Sequence, residues 1–179
     1  MADRDRRRWL AIVATVAIGA NLGAACGDDE GRPDGAGRPR DDEITATIDG
    51  VWQAVGADPE TVDVAEYAYR FLPDDAACAD LDRDDRWYGQ RGSTATLGGM
   101  AQSDIEAAVV DHLEAEGFTV QRFRSTHPDS PLRAYLAVRD EVVVDGTVDP
   151  DGYTTVSVRS GPCAASHGDF DPDLFEPTE

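Results

Sequence analysis

The chain of 179 residues carries a net charge of −20 at pH 7, with 36 acidic residues against 16 basic residues, all of them arginine. Such an excess of negative charge argues against a nucleic-acid partner and against electrostatic attraction to anionic lipid headgroups. The acidic residues are spread along the whole chain, which is typical of a solvated acidic surface rather than of one cation-binding site.

The N-terminus has the pattern of an export signal. Arginines at 6–8 precede an apolar stretch at 9–20, which is followed by small residues and then by Cys26. This arrangement resembles the lipobox of bacterial lipoproteins, although Gly23 stands where that signal usually has leucine. The resemblance ends at Cys26. It implies that residues 1–25 are a signal peptide, that Cys26 is lipidated, and that the rest of the chain is extracytoplasmic and anchored to the cell membrane.

Two other interpretations of this segment remain open, a plain secretory signal peptide and an uncleaved membrane anchor, with Cys26 incidental in both. As a helix, 9–25 would be about 25 Å long, which is near the lower limit for crossing a hydrocarbon core of about 30 Å. The run Arg6 to Leu10 also resembles a twin-arginine export signal, and an ordinary basic segment of a signal peptide would look similar. Each interpretation places the body of the protein outside the cytoplasm.

A disordered tether is predicted next, over 26–42, because this segment is rich in glycine, proline and charge. Helical spacing of apolar residues predicts a helix over 43–55, and alternation predicts a strand over 64–71. Weaker strand patterns follow at 86–90 and 94–97.

A second helix is predicted over 104–116, with Ser103 and Glu106 as a capping box at its start. The remaining strands are predicted over 118–125, 132–138, 141–148 and 153–159. Tight turns between the last strands favour an α+β domain, 43–163, whose antiparallel sheet has about four to five strands and one or two helices on one face. Residues 164–179 are acidic and interrupted by proline, which predicts a flexible tail.

The cysteine pattern supports an exported domain. With Cys26 assigned to the lipid, Cys78 and Cys163 remain as an even pair in an oxidising compartment, and we expect them to form a disulfide. The alternative is two buried free thiols. Neither cysteine has a second cysteine or a histidine at the spacing of a zinc site, so we expect no metal there.

One aspartate cluster, Asp80 to Asp85, resembles the start of a calcium-binding loop. The pattern then fails, because Asp85 stands where glycine is needed and Arg91 stands where a bidentate glutamate is needed. We therefore predict no metal and no cofactor, and keep calcium-dependent binding as an alternative.

A possible binding face is predicted from four residues that combine aromatic rings with positive charge, namely Arg86, Trp87, Tyr88 and Arg91. The sequence has no nucleophile elbow, no zinc-protease motif and no phosphate-binding loop, and its three histidines are scattered. These observations favour a non-catalytic binding or interaction domain, whose partner is an envelope protein, a wall component or a small ligand. The alternative is a small extracytoplasmic hydrolase whose site is assembled only in the fold.

Overall fold

The computed structural model describes residues 39–129, 131–167, 170, 171 and 173–178. The predicted signal peptide, Cys26 and the tether up to residue 38 lie outside these residues. Two α-helices occur in the described part, α1 (Pro39–Ala54) and α2 (Gln102–Ala115). The strands described are β1 (Asp63–Val64), β2 (Ala68–Phe71), β3 (Trp87–Thr96), β4 (Thr119–Ser125), β5 (Arg133–Arg139), β6 (Val142–Val148), β7 (Tyr153–Ser160) and β8 (Phe175–Thr178).

These strands form one antiparallel sheet in the order β1-β3-β7-β6-β5-β4-β8, and β2 pairs with β3 beside β1. The α+β class and the antiparallel sheet are therefore confirmed. The predicted number of four to five strands was wrong, because the described residues contribute eight strands to the sheet.

Part of the larger number comes from the segment 64–71, which was predicted to be one strand. Val64 pairs with Ser93 and Ala68 pairs with Gln90, so three residues of this segment oppose two residues of β3. The extra residue is a bulge that divides the segment into β1 and β2. Another strand, β8, lies within the segment that was predicted to be a flexible tail, where it pairs with β4.

Both helices pack on the same face of the sheet. α1 contacts β3 and β7, whereas α2 contacts β4, β5 and β6, and the helices contact each other. Gly50 allows this close approach, because a Cβ atom there would lie 2.7 Å from Nε2 of His112. The largest fully buried side chains include Tyr135, Ile44, Ile48, Ile105, Leu113 and Val51, which belong to this helix–sheet core.

The start of each helix differs from its prediction. α1 begins at Pro39, where Arg40 forms an ion pair with Glu141 and Asp41 forms one with Arg91. The capping box was wrong, because Ala101 caps α2 without a side-chain hydrogen bond. Glu106 points toward the sheet instead, where arginine donors compensate its burial.

The disulfide joins Cys78 to Cys163, whose Cα atoms lie 5.7 Å apart, and both residues are buried. It ties the loop before β3 to the segment after β7. The same loop is held by Arg86, which donates to the carbonyl oxygens of Pro73, Ala79 and Leu81. No helix in the described part of the chain is long and apolar enough to cross a membrane.

Replacing both cysteines, Cys78→Ser with Cys163→Ser, should lower the free energy of unfolding by about 4 kcal/mol, because the bridge closes a loop with a sequence separation of 85. Denaturant unfolding of the oxidised protein and of the double variant measures the difference. A reductant should destabilise the wild type and leave the double variant unchanged. Equal stability of the two oxidised proteins would contradict this account.

Candidate functional site

The sheet has a second face, opposite to α1 and α2, on which neither described helix lies. Side chains along a strand point alternately to the two faces of a sheet. Residues that pair with core residues on a neighbouring strand therefore face the helices, and the residues that alternate with them along each strand lie on the second face. At the centre of the second face, β3, β7 and β6 contribute a set of mostly polar residues that we call the Gly92 patch. It consists of Gln90, Gly92, Thr94, Asp145, Ser157 and Arg159.

Gly92 makes an opening in this patch. It pairs with Ser157, which in turn pairs with Asp145, so the three residues form one row across three strands. A Cβ atom added at Gly92 would meet no atom of the described residues within 4 Å. The other glycines within strands are Gly89 and Gly146, where an added Cβ would lie within 2.6 Å of tyrosine ring atoms. Among the described strand glycines, Gly92 is thus the one without a covering side chain.

An ion pair borders the opening. Arg159 donates to Oδ1 of Asp145, and their side chains are 12% and 16% exposed. Burial raises the pKa of the Asp145 carboxyl, while the charge and hydrogen bond of Arg159 act in the opposite direction. Within the described residues no donor contacts Oδ2 of Asp145.

Three more polar side chains of the patch are unengaged. Gln90, Thr94 and Ser157 are half-buried, and none of their side chains makes a hydrogen bond to another described residue. The neighbouring hydroxyls of Thr147 and Thr155 behave differently, since they are buried and hydrogen-bond each other at 2.9 Å. The Gly92 patch therefore places an amide, two hydroxyls and a carboxylate oxygen, none of them hydrogen-bonded to a further described residue, around Gly92.

The rest of the second face is partly covered by the C-terminal segment. Phe170 lies between Phe123 of β4 and Phe175 of β8, with ring centroids 5.0 Å apart on each side. This aromatic cluster protects the β4 end of the sheet and leaves the β3–β7–β6 end for the Gly92 patch.

The four residues of the predicted binding face lie in different surroundings. Trp87 is buried on the helix side, where it stacks on Tyr69 at 5.8 Å between ring centroids. Arg91 pairs with Asp41 through two hydrogen bonds of 2.9 and 3.2 Å. Arg86 holds backbone carbonyls of its loop, and Tyr88 is half-buried on the second face. The structure therefore does not bring the four residues together on one face.

The other sequence candidates are also separated. Asp80, Asp82, Asp84 and Asp85 are exposed, and no group of three or more His, Cys, Asp or Glu side chains in the described residues could hold a metal ion. His112 packs against Gly50, and the backbone N–H of His127 donates to Ser125. The geometry thus gives the calcium alternative no support.

Another buried charge lies on the helix-covered face of the sheet. Glu106 of α2 is 2% exposed and accepts hydrogen bonds from Arg124 at 2.7 and 3.2 Å and from Arg133 at 2.6 Å. Burial by itself raises the pKa of Glu106, but the hydrogen bonds and positive charges of the two arginines outweigh it, so the pKa lies below its usual range. This cluster fastens α2 to β4 and β5, and we assign it to the fold.

Comparisons of the chain with protein-family models, with curated proteins and with solved structures gave no match.

Replacing Glu106 by glutamine should lower the free energy of unfolding at pH 7 by roughly 2–3 kcal/mol, because two arginines lose their carboxylate. Since the pKa of Glu106 is lowered from 4.5 in the folded state, the unfolded state binds the proton more readily. The stability from Glu106 is therefore present above pH 4.5 and lost as the pH falls through the folded-state pKa. Urea unfolding of wild type and Glu106→Gln at pH 7 and at about pH 3 tests this, with a smaller difference expected at the lower pH. An equal difference at both pH values would contradict the assignment.

Proposed function

We propose that this protein is a lipid-anchored envelope protein outside the cytoplasm, and that its α+β domain binds an envelope component through the Gly92 patch without catalysis. One observation supports the proposal: on a face that neither described helix covers, Gly92 is surrounded by four polar groups that have no hydrogen-bond partner among the described residues.

The chemistry of the patch supports binding rather than catalysis. Ser157 lies opposite Asp145, but the carboxylate is already paired with Arg159, and the patch contains no histidine. The chain has no lysine. A serine nucleophile needs an adjacent base that takes its proton, and the patch offers none in that role.

The anchor rests on the sequence of residues 1–26, where arginines, an apolar stretch and small residues precede Cys26. The disulfide between Cys78 and Cys163 is consistent with an oxidising compartment. An anchor at Cys26 would place the domain at the cell surface, attached through the segment that leads into α1.

Intact mass spectrometry of the protein from its membrane fraction tests the anchor. We expect a mass that corresponds to the loss of residues 1–25 and the addition of lipid to Cys26. The matched variant Cys26→Ser has no thiol to acylate and should leave the membrane fraction or retain residues 1–25. An unmodified Cys26 in the wild-type protein would contradict the anchor.

Site-specific photo-crosslinking in cells tests the binding face. A photoreactive amino acid in place of Gln90, at the border of the patch, should give a discrete adduct with an envelope component. The same amino acid in place of Ala46, an exposed position on α1, provides the control and should give none. The proposal also requires that Gly92→Val reduce the adduct formed at position 90, because the added side chain fills the opening. Equal adducts from both positions, or none from position 90, would reject the face.

A further inference from the structure

We infer that the domain has a second binding site, for a compact oxyanion, that is, a small molecule with a carboxylate or phosphate group. The site lies on the helix side of β4 and β5 and consists of Arg122, Arg124 and Arg133, which we call the arginine surface. It is separate from the Gly92 patch, so the inference goes beyond the proposed function and does not depend on it.

The pairing of β4 with β5 brings these arginines together. Arg124 lies directly opposite Arg133, and both side chains contact Glu106 of α2. Arg122 shares their face, because Val120 and Arg124, two residues before and after it, both point toward the helices. Opposed residues of neighbouring strands lie about 5 Å apart and alternate residues of one strand about 7 Å apart, so the Cα atoms of the three arginines lie within about 9 Å.

Positive charge is in excess at this place. Glu106 is the carboxylate that Arg124 and Arg133 share, and the side chain of Arg122 forms no ion pair or hydrogen bond with another described residue. Three guanidinium charges and one carboxylate charge leave an excess of two. Glu176 lies opposite Arg124 in the register of β8, but it is exposed and forms no ion pair with a described residue. Counting it as well still leaves an excess of one.

This excess contrasts with the rest of the described chain. The other described ion pairs each join one arginine to one carboxylate, namely Arg40 to Glu141, Arg91 to Asp41, Arg139 to Glu43 and Arg159 to Asp145. The whole chain has a net charge of −20, so acidic side chains are plentiful. A place where three arginines share one buried carboxylate therefore differs from the arrangement that the fold uses elsewhere, and a bound anion would balance it.

The arginines also have donors for such an anion. Arg133 donates to Glu106 through Nη1, and its Nε and Nη2 have no acceptor among the described residues. The side chains of Arg124 and Arg133 are 33% and 28% exposed, and Arg122 is half-buried, so solvent reaches all three. Planar guanidinium groups bind carboxylate and phosphate oxygens through paired N–H donors, which defines the class of ligand.

The charge of the whole chain limits the size of the ligand. Charges more than about 8 Å apart are largely screened at physiological ionic strength. A compact anion in contact with the arginines is therefore governed by their local excess of positive charge. An acidic polymer would extend over the surrounding acidic surface, where it would be repelled.

Isothermal titration of the full chain at low ionic strength tests the inference. The probes are inorganic phosphate and succinate as compact anions, pentaglutamate as an acidic segment, and glucose as the neutral comparison. We expect saturable binding of at least one compact anion and none of glucose. In Arg122→Gln the affinity should fall roughly tenfold, because charge-assisted hydrogen bonds are lost. The matched variant Arg70→Gln, at another half-buried strand arginine, should bind as the wild type does.

The fold should tolerate Arg122→Gln, because this side chain has no described partner and its removal relieves repulsion between like charges. Melting temperatures provide a second measurement: phosphate should stabilise the wild type and Arg70→Gln, and stabilise Arg122→Gln less. The inference is overturned if neither compact anion binds, if Arg122→Gln keeps the wild-type affinity, or if Arg70→Gln loses as much. Tighter binding of pentaglutamate than of both compact anions would also overturn it, because the ligand would then be an acidic segment of a partner.

Discussion

The packing of α1 and α2 against one face of the sheet is the constraint on which the rest of the structure depends. An antiparallel sheet has two faces, and the two described helices lie on one of them. Gly50 lets His112 fit between the helices, so they cover β3 through β7 as one layer. This layer accounts for the apolar core, and it leaves the second face to the aromatic cluster of the C-terminal segment and to the Gly92 patch.

The charges follow from the same arrangement. Glu106 fastens α2 to β4 and β5 through Arg124 and Arg133, and Asp41 fastens the start of α1 to Arg91 of β3. These pairs connect each helix to the sheet, because one member of each pair lies on a helix and the other lies on a strand. The pair between Asp145 and Arg159 joins the neighbouring strands β6 and β7. It is the described ion pair whose position the packing of the layers does not explain.

Local patterns predicted the class of the fold and most elements of the sheet, but neither the number of strands nor the candidate site. The strands predicted over 118–125 and 141–148 correspond to β4 and β6, each of which has one partner strand on each side and no irregularity. The bulge between β1 and β2 depends on how β3 is paired, and β8 depends on Phe170 and Phe175 meeting Phe123, a contact between residues distant in sequence. The aromatic ring of Trp87 and the charge of Arg91 predicted a binding face. In the structure both side chains make contacts within the domain instead. The polar residues at alternate positions around Gly92 are the sequence signal of the Gly92 patch. They could not be recognised as one patch from the sequence, because they come from three strands and meet only when these strands are aligned.

Gly92 itself gives the strongest reason to regard the patch as more than a hydrated surface. Glycine inside a strand costs roughly 0.5–1 kcal/mol, because it loses more backbone entropy than other residues and provides no side chain for packing. At Gly89 and Gly146 that cost is offset, since Tyr67 and Tyr135 lie across the glycines and any Cβ would collide with their rings. At Gly92 no described residue would meet an added Cβ, and the glycine lies opposite the bulge between β1 and β2, where its carbonyl oxygen accepts a hydrogen bond from the backbone N–H of Ala65. The described residues therefore leave room for a side chain at position 92 that the sequence does not use, and the proposed binding face rests on this feature.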